Sequence, residues 1–330
     1  MDWITKVPKV ELHLHLEGAI PISALYRLIR KYGDANTVKS ENALKERFVY
    51  SDFLHFLSVW VWKNNYLREY EDFSFIAQEV AGDLFSQNIL YAEVFYSPSD
   101  FSHHGLKPGR ITEAIRTGLN KVTSVQVALI TDLCRENGPD GTLRIFNEVS
   151  DCRELGVIGI GLGGDEAKYP PGLFPKVYEQ ARRKGFHTTI HAGEAAGPES
   201  IWDAIRVLQP ERIGHGTNAK YDPSLVSYLE KSKLPIEMCP LSNVQTRVIS
   251  SLSEHPIRSF FDRQLAVTVN TDDPKMFGNS LAEEYTKLQE VFKFSDDDIR
   301  KLIITAIDAS WLEENEKAVW MNRFINDPNW

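Results

Sequence analysis

Cysteine is scarce in this 330-residue chain: Cys134, Cys152 and Cys239 lie far apart, with no C-x-x-C among them. That excludes a disulfide framework and a thiolate zinc site, and it suits a reducing compartment, so a cytoplasmic protein is expected. Long apolar runs are lacking as well. The most apolar stretch, FLSVWVW at 56–62, is far short of the ~20 residues that a membrane-spanning helix needs. The opening MDWITKVPKVELHLH holds no stretch apolar enough for a signal peptide. No long basic tract occurs and the net charge is −9, which makes nucleic acid and anionic membrane surfaces poor partners and a small molecule the expected one. Low-complexity segments, repeats and composition shifts are missing too. With 42% hydrophobic residues available for a core, residues 1–330 are expected to form a single domain.

What the chain does have is a recurring short β-rich run that ends in polar or glycine-rich residues. Eight are present: KVELHLH (9–15), ILYAEVFYSP (89–98), VQVALITDL (125–133), VIGIGLGG (157–164), HTTIHAGE (187–194), RIGHGT (212–217), PIEMCPLSN (235–243) and AVTVNTDDP (266–274). From the second onward they are spaced at roughly one βα unit, with helix candidates such as 174–185 and 198–209 between them. Eight such units predict an α/β fold of the (β/α)8 TIM-barrel type. The gap at 19–88 is too long for one crossover and predicts extra helices inserted after the first strand, including SDFLHFLSVWVWKNNYL (51–67), laid over the barrel mouth.

The chemistry gathers at the strand ends. In a strand, residues two apart face the same side, so His13 and His15 point together while Leu12, Leu14 and Leu16 face the other way. An isolated H-x-H is as often a hydrogen-bonded pair as half a metal site. Here, however, later strand ends carry Gly164, His191, Glu194, His215, Asp272 and Asp273, and in a barrel these ends converge on one mouth. His13, His15, His191 and Asp272 are suitable ligands for one zinc-like divalent ion, with a position left for water. Glu194, His215 and Asp273 remain for proton transfer and substrate contacts, which points to hydrolysis at an electrophilic carbon.

The motifs ELHLHLEG, GDE, HAGE followed by AAGPESIW, RIGHG, CPLSN and NTDDP resemble, in order and placement, the adenosine deaminase family of the amidohydrolase superfamily. The likeness runs from about residue 8 to 290. It implies one Zn2+ or another divalent metal on His13, His15, His191 and Asp272. It also implies that Glu194 handles the proton at purine N1, His215 orients and deprotonates the attacking water, Asp273 contacts N7 and the Gly164 N–H contacts N3. The implied reaction converts a 6-amino to a 6-oxo purine with release of ammonia.

Glu17 stands where dedicated adenosine deaminases often carry an aspartate that contacts the ribose 5′-hydroxyl. The added methylene admits a different 5′ group or no ribose at all, but RIGHGT and GGDE resemble the nucleoside enzymes of the family more than its adenine enzymes, so the expected substrate is a purine nucleoside: adenosine or a 5′-modified relative such as 6-amino-6-deoxyfutalosine. Free adenine is the alternative, and a catalytically silent purine-binding barrel is a further one. His15 and Glu17 are then substrate contacts together with Gly164 and Asp273.

Other polar residues have plainer readings. His187 begins its strand at the opposite end of the barrel and reads as structural, while His103, His104 and His255 read as surface residues. Cys239 reads as a small buried hydrophobe, Asp165 and Glu166 as carboxylates that fix a loop, and Ser242 and Asn243 as groups that orient the site. Phe53, Phe56, Trp60 and Trp62 fit helix core and pocket lining equally well.

Overall fold

The computed structural model describes residues 3–33 and 38–330. Eight strands form one sheet in sequential order: β1 (Lys9–His15), β2 (Ile89–Tyr96), β3 (Gln126–Cys134), β4 (Val157–Gly163), β5 (His187–Ala192), β6 (Arg212–His215), β7 (Ile236–Met238) and β8 (Val267–Val269). Every neighbouring pair is parallel, so each connection must cross back over the sheet, and most do so through a helix. The sheet nearly closes into a barrel. Its seam is a bridge between Leu14 and Asp272, with His15 N–H donating to the Asp272 carbonyl at 2.9 Å and Asp272 N–H to the His13 carbonyl at 3.0 Å. The closure therefore sets Asp272 directly beside the two histidines of β1.

The last strands are shorter than the sequence suggests. Pro240 and Pro274 cannot donate to a ladder, and each begins a helix instead, Pro240–Gln245 and Pro274–Phe277. Thus β7 stops at Met238 and the LSN triplet lies on a helix, not at a strand end. The 198–209 helix is also irregular, running as Pro198–Asp203 and then as a wider π turn over Ala204–Leu208.

Among the described residues between β1 and β2 lie the helices Ile22–Lys31, Glu41–Lys45, Phe53–Asn64 and Tyr70–Ser86, as the long gap predicts. Asp52 caps Phe53–Asn64 by accepting from His55 N–H at 2.8 Å, and Glu69 with Asp72 forms a capping box on Tyr70–Ser86. Leu12, Leu14 and Leu16 are fully buried in a hydrophobic cluster that runs from Ile4 to Phe324. No helix among the described residues is long and apolar enough to cross a membrane.

The inside of the barrel is charged, which the sequence does not announce. Arg212 on β6 is 1% exposed, bonds Glu93 of β2 at 2.5 Å and Glu237 of β7 at 2.6 Å, and lies over the Trp311 ring at 3.5 Å. A buried cation is tolerated here because two carboxylates and an aromatic face surround it.

Candidate active site

At the C-terminal ends of the strands, His13 Nε2, His15 Nε2, His191 Nε2 and an Asp272 carboxylate oxygen turn toward one point. His191 Nε2 is 3.0 Å from His13 Nε2 and 3.2 Å from His15 Nε2, while Asp272 Oδ1 is 3.6 and 3.4 Å from the same two atoms. Ligand bonds of about 2.0–2.1 Å to one tetrahedral ion place neighbouring ligand atoms about 3.3 Å apart, so the four groups fit a single divalent metal. The donor set, three imidazoles and a carboxylate, suits zinc and its neighbours.

Three of the four are tied from behind, His191 through its backbone carbonyl, while His15 Nδ1 is buried without a partner and its ring stacks on Phe95. His13 Nδ1 bonds Glu237 Oε2 at 2.8 Å, so the charged barrel interior reaches the cluster through one carboxylate. Ser242 donates to Asp272 Oδ2 at 2.6 Å, and the Arg135 guanidinium donates to the His191 carbonyl at 2.6 Å. The backbones of Asp272 and His215 have φ of 64° and 60°, a left-handed conformation uncommon for such residues, which persists only where the surroundings enforce it.

His215 Nε2 stands 3.5 Å from Glu194 Oε2 and 4.0 Å from Asp272 Oδ2. Burial pushes the His215 imidazole down to about 4, so it is neutral. On its other side, Nδ1 meets the Asn243 amide at 3.0 Å, and the Asn243 oxygen meets His255 Nε2 at 3.2 Å. An amide has one donor and one acceptor end, so Asn243 ties a tautomer of His215 to a tautomer of His255. His255 is therefore no surface residue: it is 3% exposed and belongs to the row behind the site, because the Leu252–Glu254 turn and Pro256 fold it inward.

Burial, with the nearby charges of Asp272 and Glu166, holds the Glu194 carboxyl well above the usual carboxylate range. Glu194 sits on a loop clasped by Glu166, whose two oxygens accept the backbone N–H groups of Gly193, Glu194, Ala195 and Ala196 and the Ser200 hydroxyl at 2.5 to 3.1 Å. Glu166 is thus a loop-fixing carboxylate, and Asp165 acts likewise on Lys168 N–H at 3.1 Å. Asp273 is raised well above its ordinary range by burial and by Asp272, and its Oδ1 is buried without a partner. The glycine after Glu17 makes room for it: a Cβ on Gly18 would stand 1.7 Å from Asp273 Oδ1.

These groups open onto a cavity of about 270 Å3. Gly164, with φ of 100°, lines it, and so do Phe53, Phe56 and Trp60 from the helix above, settling their role as pocket lining. Trp62 faces away and packs on Tyr66. Glu17 is 1% exposed and is not among the lining residues: its Oε1 accepts Ser97 N–H at 3.0 Å, which makes its contact with the cavity indirect. His187 is indeed at the far end of the barrel, stacked on Trp311 and bonded to Glu211 at 2.6 Å. His103 and His104 lie on the Pro98–His104 turn, and Cys239 is fully buried.

Comparison with known proteins agrees with this arrangement. The family model for adenosine deaminase matches residues 8–326. The chain belongs to the adenosine deaminase family. It is 31% identical to the aminodeoxyfutalosine deaminase of Streptomyces coelicolor over 322 residues, 96% of this chain and 83% of that protein. It is 33% identical to the adenine deaminase of Bordetella parapertussis over 312 residues, 93% of this chain and 98% of that protein. Among solved structures, an amidohydrolase from Burkholderia ambifaria with bound Zn superposes with a TM-score of 0.88 at 27% identity, covering 98% of this chain and 91% of that one.

Several site residues carry no sequence signal of their own. Glu237 and His255 act through other side chains and Arg135 through the His191 carbonyl, and only the folded barrel brings them there.

Proposed function

We propose that this chain is a metal-dependent hydrolase that deaminates a 6-aminopurine nucleoside, releasing ammonia and leaving the 6-oxo purine. The observation that carries the reading is the buried Glu194 carboxyl 3.5 Å from the His215 imidazole and beside a four-ligand cluster in one cavity, with burial raising the carboxyl above its usual range. With a divalent ion bound by His13, His15, His191 and Asp272, water becomes a usable nucleophile near neutral pH.

The chain's own groups do the rest. His215 Nε2 orients the attacking water and, burial keeping the ring neutral, takes its proton when the Asn243 amide is turned so that its oxygen rather than its NH2 faces Nδ1, the tautomer that leaves Nε2 free to accept. As water adds to C6, electron density moves to N1, and Glu194 donates its proton there. Asp273, kept protonated by burial, donates to N7. The Gly164 N–H pairs with N3, and its glycine φ of 100° lets the backbone face the ring. Phe56 and Trp60 cover the ring and exclude water. The 6-amino group gains the proton that His215 took from water and leaves as ammonia, and the proton of the C6 oxygen passes to Glu194 as the 6-oxo group forms.

The nucleoside reading is supported by space and by acceptors beyond the base: the cavity continues to Ser97, Asp100 and Asp132, groups a free base would not need. Free adenine is the second reading, favoured by the likeness to the Bordetella enzyme. We also read residues 1–330 as one domain, since one hydrophobic cluster spans Ile4 to Phe324. The test is an ultraviolet assay for loss of the 6-amino group on zinc-loaded protein, with adenosine, adenine and 6-amino-6-deoxyfutalosine side by side. A nucleoside turned over in preference to adenine is the expected result; adenine preferred over both nucleosides would replace the first reading by the second.

A further inference from the structure

The wall of the cavity away from the ligand cluster carries three carboxyl groups: Asp132 on β3, Asp100 after β2 and Glu136 after β3. No lysine or arginine lines the cavity among the described residues. The buried cation behind it, Lys63, is turned to the Glu17 carbonyl at 2.9 Å and to Asn64 Oδ1 at 2.7 Å.

The three carboxyls are held differently. Asp100 Oδ2 accepts from Trp60 Nε1 at 2.9 Å and Asn64 Nδ2 at 3.1 Å. Glu136 accepts Asp165 N–H at 2.8 Å and the Cys134 thiol at 2.8 Å. Asp132 is 6% exposed; its Oδ2 accepts the Ser97 hydroxyl at 3.3 Å, and its Oδ1 is buried with no partner. Its seat is made by glycines on β4: a Cβ on Gly163 would stand 2.8 Å from Asp132 Oδ2, and one on Gly161 would stand 3.3 Å from Oδ1. A buried carboxyl oxygen without a donor is costly, and a ligand that brings one relieves that cost. Burial, reinforced by Asp100 and Glu17, pushes Asp132 up to about 8, which shows how poorly this wall is served with positive charge.

Building on the deaminase reading, we propose that Asp132, flanked by Asp100 and Glu136, determines specificity for the part of the substrate beyond the purine. It takes hydrogen-bond donors, sugar hydroxyls or an ammonium group, and the wall refuses phosphate and carboxylate, so that of the two nucleosides named above adenosine is used and 6-amino-6-deoxyfutalosine, whose 5′ extension carries a carboxylate, is not.

The experiment compares kcat/KM on zinc-loaded protein for adenine, adenosine, 5′-amino-5′-deoxyadenosine, adenosine 5′-carboxylate and adenosine 5′-phosphate. The expected order places the hydroxyl- and ammonium-bearing nucleosides at least about a hundredfold above the two anions. A preference for the ammonium compound identifies the donor as a cation, and equal or better use of adenosine identifies it as a hydroxyl; either supports the proposal. In Asp132→Asn, a loss of about tenfold or more on the favoured nucleoside is expected, mainly through KM, with adenine changed by less than about twofold. Glu136→Gln, on the exposed lip of the wall, keeps the proposal testable should the buried variant fail to fold, and narrows the gap between adenosine and its 5′-phosphate. Wild-type preference for an anion, or an equal loss on adenine and nucleoside in Asp132→Asn, overturns this inference and leaves the deaminase reading standing. Failure to deaminate any 6-aminopurine overturns the deaminase reading itself.

Discussion

The two ends of the cavity are built on different terms. At the ligand end four groups have a second group behind them, Glu237 behind His13, Ser242 behind Asp272, Asn243 behind His215 and Glu166 beneath the Glu194 loop, although Asp273 Oδ1, like Asp132 Oδ1 at the other end, is buried without a partner. At the other end the roof is the single helix Phe53–Asn64, with Leu54 and Val61 64% and 62% exposed, and the wall keeps a carboxyl oxygen without a partner. Pre-organised donors and acceptors serve a transition state because they need not reorganise when charge develops. On the reading proposed above, the wall decides which molecule is admitted: the chemistry of this site is fixed by the barrel, whereas the choice of substrate rests on Asp132 and its neighbours in the cavity wall.

Mutations at the two ends should therefore fail in different ways. The largest effect is expected from His13→Ala, which removes a ligand and its tie to Glu237: metal analysis of the purified variant should find the ion lost, and turnover with it. Full metal content with full activity would break the comparison at its base. Glu194→Gln keeps the shape of the site and removes the proton, so the variant should bind metal normally while kcat drops by about 10²–10⁴-fold. An unchanged kcat would take Glu194 out of the mechanism.

Glu237→Gln tests the row behind. Metal affinity measured by competition with a chelator should weaken by about 10–100-fold, while Glu93 remains beside Arg212 to hold the barrel interior. Affinity equal to wild type would mean that the His13 tie is idle. The smallest effect belongs to the roof: Trp60→Ala removes one ring from the cavity cover and one donor from Asp100, and should raise KM for the nucleoside by about five- to tenfold with metal content untouched. A loss of metal in that variant would show that the two ends are not independent.

The sequence made much of the ligand end legible for a simple reason. A strand repeats every two residues, so His13 and His15 must share a face, and a barrel sends all its C-terminal strand ends to one mouth. Asp272 and Asp273, His191 and Glu194 follow from the same rule. Where prolines interrupt, the rule overshoots: Pro240 and Pro274 turn predicted strand into helix, although the residues still arrive at the site. His255 was unreadable because its burial depends on a turn packing against Asn243, far from any periodic segment.

The charged interior was hidden for a related reason. Glu11, Glu93, Arg212 and Glu237 each sit singly within short strands, and only the closed barrel brings Glu93 beside Arg212 and Glu11 beside Thr271. Asp132 was missed similarly, since ALITDLC reads as a buried strand and the space that seats its carboxyl comes from glycines on the next strand. Glu17, a substrate contact in the motif, lies behind the cavity lining, with Ser97 N–H on its Oε1 and its Oε2 buried without a partner.

The central claim is that the clustered histidines, carboxylates and cavity carry out hydrolytic loss of a purine 6-amino group. Its most direct test is ammonia release, coupled to the ultraviolet change, from adenosine and adenine on protein of measured metal content, before and after removal of the ion with a chelator. The account predicts stoichiometric ammonia and 6-oxo purine, abolished with the metal and restored by zinc. Fully metal-loaded protein that releases no ammonia from either compound, or from any 5′-substituted nucleoside, would contradict it.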